Sequence, residues 1–296
     1  MLHVALCYDA KYELGAAVAL ASVASHNPSV PITAWVMRVD GTVLSPADLR
    51  HVLNRDRESV DILELHAPRQ HSDLPRSLTP GSTRITTAMY LRLYVPRALE
   101  AAGVSQVLYL DSDLFVVGDL DTSLVFPPDG FAITAVGDAF TRRVIDGGGV
   151  PGWMDLGLDP SRRYFNSGVL GIDVANWNAA EVEQRSIEYI ERFRAVARYP
   201  DQDALNAVCS ETWSPLSHFH NNQMSWRASG IEAERCATKV VHPTGPHKLW
   251  SGNCDTFQGF QSSYMDLLES VLDGVRSVCG DKPAEALLRN LPSSSR

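Results

Sequence analysis

The tripeptide Asp111-Ser112-Asp113 is where residue type and spacing point most directly to chemistry. It interrupts an apolar stretch: Gln106 to Leu110 is rich in β-formers, and Leu114 to Val117 is apolar again. Two carboxylates one residue apart, between buried segments, repel each other unless a cation lies between them. A divalent metal is the usual resolution, and a solvated turn is the alternative. In open α/β sheets ligands bind just beyond the carboxyl ends of strands, which is where this pair falls.

Three more polar groups stand at the ends of expected strands: Asp9 with Lys11, Asn166 to Gly168 with Asp201-Gln202, and His242 with Gly245, Lys248 and Trp250. Each has a plainer reading when taken singly. Asp9 can complement a helix dipole, and Asp201 can cap its helix. Asn166 suits a turn, His242 a buried hydrogen bond, Lys248 a solvated face and Trp250 ordinary packing. The functional reading gains from their convergence on one sheet edge.

The elements that must position them follow from pattern. Leu2 to Tyr8, Ile32 to Val39 and Val60 to Leu65 read as strands, the last an alternating edge strand. Between them, Leu14, Val18, Ala21 and Val23-Ala24 give one apolar helix face closed by His26-Asn27-Pro28. Ser45-Pro46-Ala47-Asp48 is a helix start with a capping residue, a first-turn proline and an acid three residues on. This β-α-β-α-β opening implies a mostly parallel sheet flanked by helices. Pro68 to Ser82 reads as a long functional loop, and Thr86 to Tyr94 as a helix stopped by Pro96. Phe131 to Val136 and Tyr164 to Val174 read as strands around a glycine-rich mobile loop, 137–163. Ala179 to Arg198 reads as one charged amphipathic helix, with a short helix from Pro200 through Val208. Lys239 to Val241 is a short strand ending in His242, and Phe257 to Val278 and Ala284 to Leu291 are helical.

The 296 residues suffice for one large α/β domain, and the net charge of −9, with no extended basic stripe, argues against nucleic acid as principal partner. Five cysteines, none spaced as C-x-x-C, predict reduced thiols in a cytoplasmic protein and no zinc site. The longest uncharged apolar segment, Leu14 to Ser25, is too short to span a bilayer, and the N-terminus does not read as a signal peptide.

VLYLDSDLFVVGDL, YFNSGVLGIDVANW, PDQDALN and HPTGPHKLW, in that order and spacing, resemble the signature blocks of the retaining glycosyltransferases of family 8. That family includes lipopolysaccharide galactosyl- and glucosyltransferases and glycogenin. CYDAKY and the Arg92 segment also fit, so the resemblance covers residues 1 to about 260. It implies a GT-A fold, a single Rossmann-like domain, with the nucleotide-sugar part at about 1–120, the acceptor part at about 121–260 and a helical extension over 261–296.

The resemblance also implies roles by position. Asp111, Asp113 and His242 would ligate a metal, for which the mixed oxygen and nitrogen set suits manganese, with magnesium possible. Lys248 and Gly245 would lie on the diphosphate of a UDP-sugar, UDP-glucose or UDP-galactose. Asp9, Ala10 and Lys11 would lie near the base and ribose, and Ser112 belongs to the same donor site. Arg92 would touch the donor sugar and the metal-site carboxylates, while Asn166, Asp201 and Gln202 line the sugar pocket. Gln202 stands where a nucleophile would be expected, and an amide is a poor one. Same-face attack by a hydroxyl acceptor is therefore favoured over a covalent intermediate on Asp201.

Two departures stand out: Leu249 where many members have a proline, and Ala10 where an acidic residue is frequent. The nearly neutral C-terminus predicts no membrane anchor. The rival expectations are a nucleotidyltransferase-like enzyme and a non-catalytic sugar-nucleotide-binding protein. The acceptor and the epimer of the donor sugar are not readable from residue types.

Overall fold

Strand β1, Leu2–Tyr8, is buried along nearly its whole length and pairs in parallel with β2, Ile32–Arg38, in register from Leu2 opposite Ile32 to Tyr8 opposite Arg38. This computed structural model describes residues 1–55, 60–68, 73–74, 86–223, 236–244, 247–251 and 258–292. Its contacts divide them into two compact units. The first comprises residues 1–64, 110–121 and 218–296, and the second residues 65–109 and 122–217.

In the first unit the strand order is β3-β2-β1, with β3, Val60–Leu65, at the edge as its alternation predicts. Helix α2, Pro46–Leu53, begins with the expected capping box: the Ser45 hydroxyl accepts from Asp48 N while the Asp48 carboxylate accepts from Ser45 N. Helix α1, Glu13–His26, departs from expectation. Its one apolar face proves to be burial on nearly all sides, continuous from Glu13 to Leu20. Its alanines, Gly15 and Ser22 carry so little side chain that neighbours approach from every direction. Gly15 is the extreme case: a Cβ there would lie 2.4 Å from the carbonyl oxygen of Ser112, so only glycine fits without movement.

A two-residue strand β5, Phe115–Val116, pairs antiparallel with β9, Val240–Val241. The long helix Gln258–Cys279 buries Tyr264, Leu268, Val271, Leu272 and Val275, and a last helix spans Asp281–Asn290.

In the second unit β4, Gln106–Leu110, β6, Ile133–Gly137, β7, Phe165–Asp173, and β8, Trp213–Pro215, lie in the order β4-β7-β6-β8. β6 runs antiparallel to β7 and parallel to β8. Helix α3, Leu91–Ala101, contains Pro96 rather than ending at it, following a short 3-10 turn at Thr87–Tyr90. The missing N–H of a mid-helix proline costs about 3 kcal/mol. Burial of Leu91, Leu93, Tyr94, Val95 and Pro96 itself offsets that cost.

The charged amphipathic helix expected over Ala179 to Arg198 is α5, Val182–Phe193, shorter at both ends, and a separate short helix α4, Val174–Ala179, precedes it. The break falls at Glu181, whose φ of 52° is left-handed and cannot continue a helix. Helix α6, Pro200–Val208, starts where expected but without Asp201 as its cap; the cap position is Tyr199.

The 137–163 segment is neither helix nor strand, yet it is tied down. Val144 N donates to Arg162 O at 2.9 Å and Tyr164 N to Arg142 O at 3.0 Å, and Val144 and Val150 are buried. Of the expected loop over Pro68 to Ser82, only Pro68, Asp73 and Leu74 are among the described residues, and Gly245 lies outside them. Both units belong to the expected α/β class with a mostly parallel sheet and flanking helices.

Candidate functional site

Two constellations of polar residues stand out, one in each unit. In the first unit the β5–β9 pairing explains how residues far apart in sequence meet. Asp113 lies two residues before Phe115 and His242 one residue after Val241, and Phe115 is paired with Val241. His242 Nε2 is consequently 3.3 Å from Asp113 Oδ1 and 3.8 Å from Asp111 Oδ2. One ligand atom from each of the three lies within 4.8 Å of the others, a group that can hold a metal ion. Donor atoms around a six-coordinate ion with bonds near 2.1 Å stand about 3 Å apart, so modest closure would suffice.

Lys248 is buried, its ammonium 2.6 Å from Asp113 Oδ2 and donating to Pro243 O at 2.5 Å. Burial alone would raise the Asp113 carboxyl. The Lys248 charge and the His242 contact outweigh it and hold the group well below the usual carboxylate range. Asp111, Asp113 and His242 together make a mixed oxygen and nitrogen donor set that suits a divalent cation.

Smaller residues set this geometry. The Ser112 hydroxyl donates to Cys7 O at 3.0 Å, fastening the Asp-Ser-Asp turn to the end of β1. Trp250 is a packing residue: its indole N–H donates to Pro292 O, and its ring contacts Tyr12 and Tyr264. Asp9 behaves as its plainer reading predicts, Oδ1 accepting from Lys11 N at 2.9 Å and Tyr12 N at 3.3 Å at the entrance to α1. Ala10 is half-buried and Lys11 exposed beside it.

In the second unit the network is built on β7 and α6. The Asn206 amide clips the two together, donating to Phe165 O and accepting from Phe165 N, both at 2.8 Å. One turn earlier on α6, Gln202 Oε1 accepts from Ser167 N at 3.0 Å and Asn166 Nδ2 at 3.2 Å. Its Nε2 donates to the Tyr164 hydroxyl at 3.2 Å and to Asp138 Oδ2 at 3.3 Å. The buried Arg92 donates to the Ser167 carbonyl at 2.8 Å and hydroxyl at 2.7 Å, and pairs through Nε with Asp201 Oδ2 at 3.1 Å. Its guanidinium also lies 4.9 Å from the Tyr109 ring centroid.

Asp203, fully buried, receives the Tyr164 hydroxyl at 2.5 Å and the backbone N–H groups of Arg198 and Tyr199. Burial outweighs those donors and pushes its carboxyl up to about 7. The sequence-based site set is thus gathered as follows. Asp9, Ala10, Lys11, Asp111, Ser112, Asp113, His242 and Lys248 lie in the first unit, and Arg92, Asn166, Asp201 and Gln202 in the second. Sequence reasoning missed Asp138, Tyr164 and Asp203, and took Ser167 only as part of the Asn166 to Gly168 stretch. Tyr164 and Asp203 sit inside recognised blocks, but their mutual contact spans 39 residues and leaves no spacing signal.

The family model described as Glycosyl transferase family 8 matches residues 3–254. General stress protein A of Bacillus subtilis is 27% identical over 189 residues, covering 58% of this chain and 62% of that protein. Glycosyltransferase GlyB of Streptococcus pneumoniae is 30% identical over 166 residues, covering 56% of this chain and 33% of its own length. Several curated relatives are therefore matched over only a third to three-fifths of their length. Lipopolysaccharide glucosyltransferase WaaO of Escherichia coli is 25% identical over 84% of this chain and 72% of its own. Among solved structures, galactosyltransferase LgtC in complex with donor and acceptor sugar analogues superposes with a TM-score of 0.72. It is 22% identical and covers 91% of this chain and 96% of that one, a likeness of fold.

Proposed function

The chain belongs to glycosyl transferase family 8, and from that premise we propose that it is a metal-dependent, retaining hexosyltransferase. It moves glucose or galactose from UDP-sugar to a hydroxyl of a carbohydrate acceptor. The observation that carries this reading is the Asp111–Asp113–His242 cluster with the Lys248 ammonium beside it. Asp111, Asp113 and His242 would hold a manganese or magnesium ion, which would supply Lewis-acid chemistry to a bound diphosphate. Lys248 stands ready to meet the negative charge that grows on the leaving UDP. Asp9 is offered to the uracil, with Ala10 and Lys11 beside the ribose.

In the second unit Asp201, Asn166 and Gln202 present fixed acceptors and donors of the kind hexose hydroxyls require, and Arg92 holds Asp201 and Ser167 in place. The engagement of Gln202 Oε1 by two N–H donors supports same-face attack. In that step the acceptor oxygen bonds to the anomeric carbon as the carbon–phosphate-oxygen bond breaks. The acceptor proton passes to a β-phosphate oxygen, and UDP departs. The WaaO relative is named for a lipopolysaccharide acceptor, which favours a glycan as the acceptor class here.

The experiment is incubation with UDP-glucose or UDP-galactose, manganese and an oligosaccharide panel, reading UDP, pyrophosphate and the product's anomeric proton. Manganese-dependent UDP release with an α-linked product is expected. Pyrophosphate release, or donor binding without turnover on any acceptor, would overturn the reading. Intact-mass analysis of the same samples reports whether the chain glycosylates itself.

A further inference from the structure

The chain from His218 to Gln223 runs alongside Lys239 to His242 as a short parallel ladder. Lys239 N donates to Phe219 O at 2.8 Å, Asn222 N to Val240 O at 2.8 Å, and His242 N to Asn222 O at 3.0 Å. Neighbouring side chains along such an extended run point to opposite sides. The Asn222 amide accordingly turns to the Thr238 hydroxyl at 3.1 Å, and that of Asn221 turns to the ring of His242. Asn221 is buried, with Oδ1 2.9 Å from His242 Nδ1.

We propose that Asn221 is a positioning residue of the metal site: its amide oxygen accepts from His242 Nδ1–H and so holds the ring with Nε2 turned toward Asp111 and Asp113. A neutral imidazole carries one proton, and the partner of one ring nitrogen decides the state of the other. With Nδ1–H given to Asn221, Nε2 is the ring nitrogen that faces two carboxylate oxygens, at 3.3 and 3.8 Å. In the opposite tautomer Nε2–H would donate to Asp113, and the histidine would be lost as a ligand.

The choice of an amide also has a reason. Histidine ligands commonly give their second N–H to a carboxylate or a carbonyl. Here a carboxylate would add a third negative charge beside Asp111 and Asp113, whereas the neutral amide orients the ring without adding charge. The inference rests on the metal reading above.

Two measurements test it without relying on turnover. The first is a long-range proton–nitrogen spectrum of the metal-free, nitrogen-15 histidine-labelled protein at pH 8, with His242 identified by its absence from the His242→Gln spectrum. A proton on Nδ1 is expected, and an Nδ1 without a proton overturns the proposal. The second is titration of the protein with manganese, with free ion read by electron paramagnetic resonance. Asn221→Leu should weaken manganese about 10- to 100-fold, while Asn221→Asp, which restores an acceptor, should bind within about tenfold of the parent. Unchanged affinity in folded Asn221→Leu overturns the proposal. If that variant does not fold, the spectrum of the parent protein decides alone. Manganese affinity untouched by His242→Gln would instead overturn the metal reading itself, and this inference with it.

Discussion

The two constellations solve opposite electrostatic problems. In the first unit Asp113 meets the Lys248 ammonium, and Asp111, Asp113 and His242 converge as a group that can hold a cation. In the second, Arg92 is matched with Asp201, and the Asp138 carboxylate accepts from Phe140 N, Thr141 N, Asn166 and Gln202. Buried polar groups are costly unless partnered, and the Arg92, Asp201, Asp138 and Gln202 side chains all have partners within the second unit. The first gathers oxygen and nitrogen ligand atoms that suit a metal ion. One is a receptor for a cation and the other a preset array of donors and acceptors, so substitutions should affect them in different currencies. The first should lose function and keep its fold, and the second should lose stability.

The largest expected effect falls on the first unit. Asp113→Asn keeps the shape of the side chain and an acceptor for Lys248 while removing one of the two carboxylates. Manganese-dependent turnover of UDP-sugar should drop about 10³-fold, near 4 kcal/mol of transition-state stabilisation. The thermal midpoint of the metal-free protein should move little, because relief of the Asp111–Asp113 repulsion compensates for a weaker bond to Lys248. A variant with full manganese-dependent activity, or one that is unfolded, would erase the contrast drawn here.

Next in size is Arg92→Leu. Asp201, buried, would lose its ion-pair partner, and Ser167 the two bonds donated to it. Breaking a buried ion pair from one side costs about 3 kcal/mol or more. Urea unfolding should register that loss, and the double variant Arg92→Leu, Asp201→Leu should recover most of it because no charge remains uncompensated. A loss below about 1 kcal/mol in the single variant would mean that water screens the pair, contrary to its burial.

The asymmetry also explains what was legible in the sequence. The cation cluster announces itself because like charges between two apolar runs have no structural use, and because β5 and β9 are visible as short apolar stretches beside Asp113 and His242. The capping box at Ser45 and the proline opening α6 were equally plain, since caps are encoded within four residues. What stayed hidden depends on contacts between distant positions. Glu13 reads as a surface charge, yet it is buried and accepts from Val43 N and Leu44 N at 2.7 Å. Small residues in α1 blurred the helical period, and a continuous charge pattern concealed the turn at Glu181. Asn221 carries no signal: an asparagine in a polar run is indistinguishable from turn chemistry until His242 is placed against it.

The effect most particular to the second unit depends on pH, and it concerns Asp203. Its folded-state carboxyl sits at about 7, raised from 3.8 chiefly by burial. A raised value means that the folded chain holds this proton more tightly than the unfolded chain. The associated stability is full below about pH 4 and drains away as pH rises toward 7, at up to about 1.4 kcal/mol per pH unit. Asp203→Asn removes the titration while keeping an oxygen to accept from Tyr164. Unfolding free energies of the two proteins, measured at intervals from pH 4 to 8, should therefore diverge with pH. The difference should favour the variant increasingly up to neutrality and then level off. A difference that stays flat would mean that Asp203 is ionised throughout this range. The Tyr164 hydrogen bond and the two backbone donors would then outweigh burial, and the second unit would carry a fixed charge much as the first does.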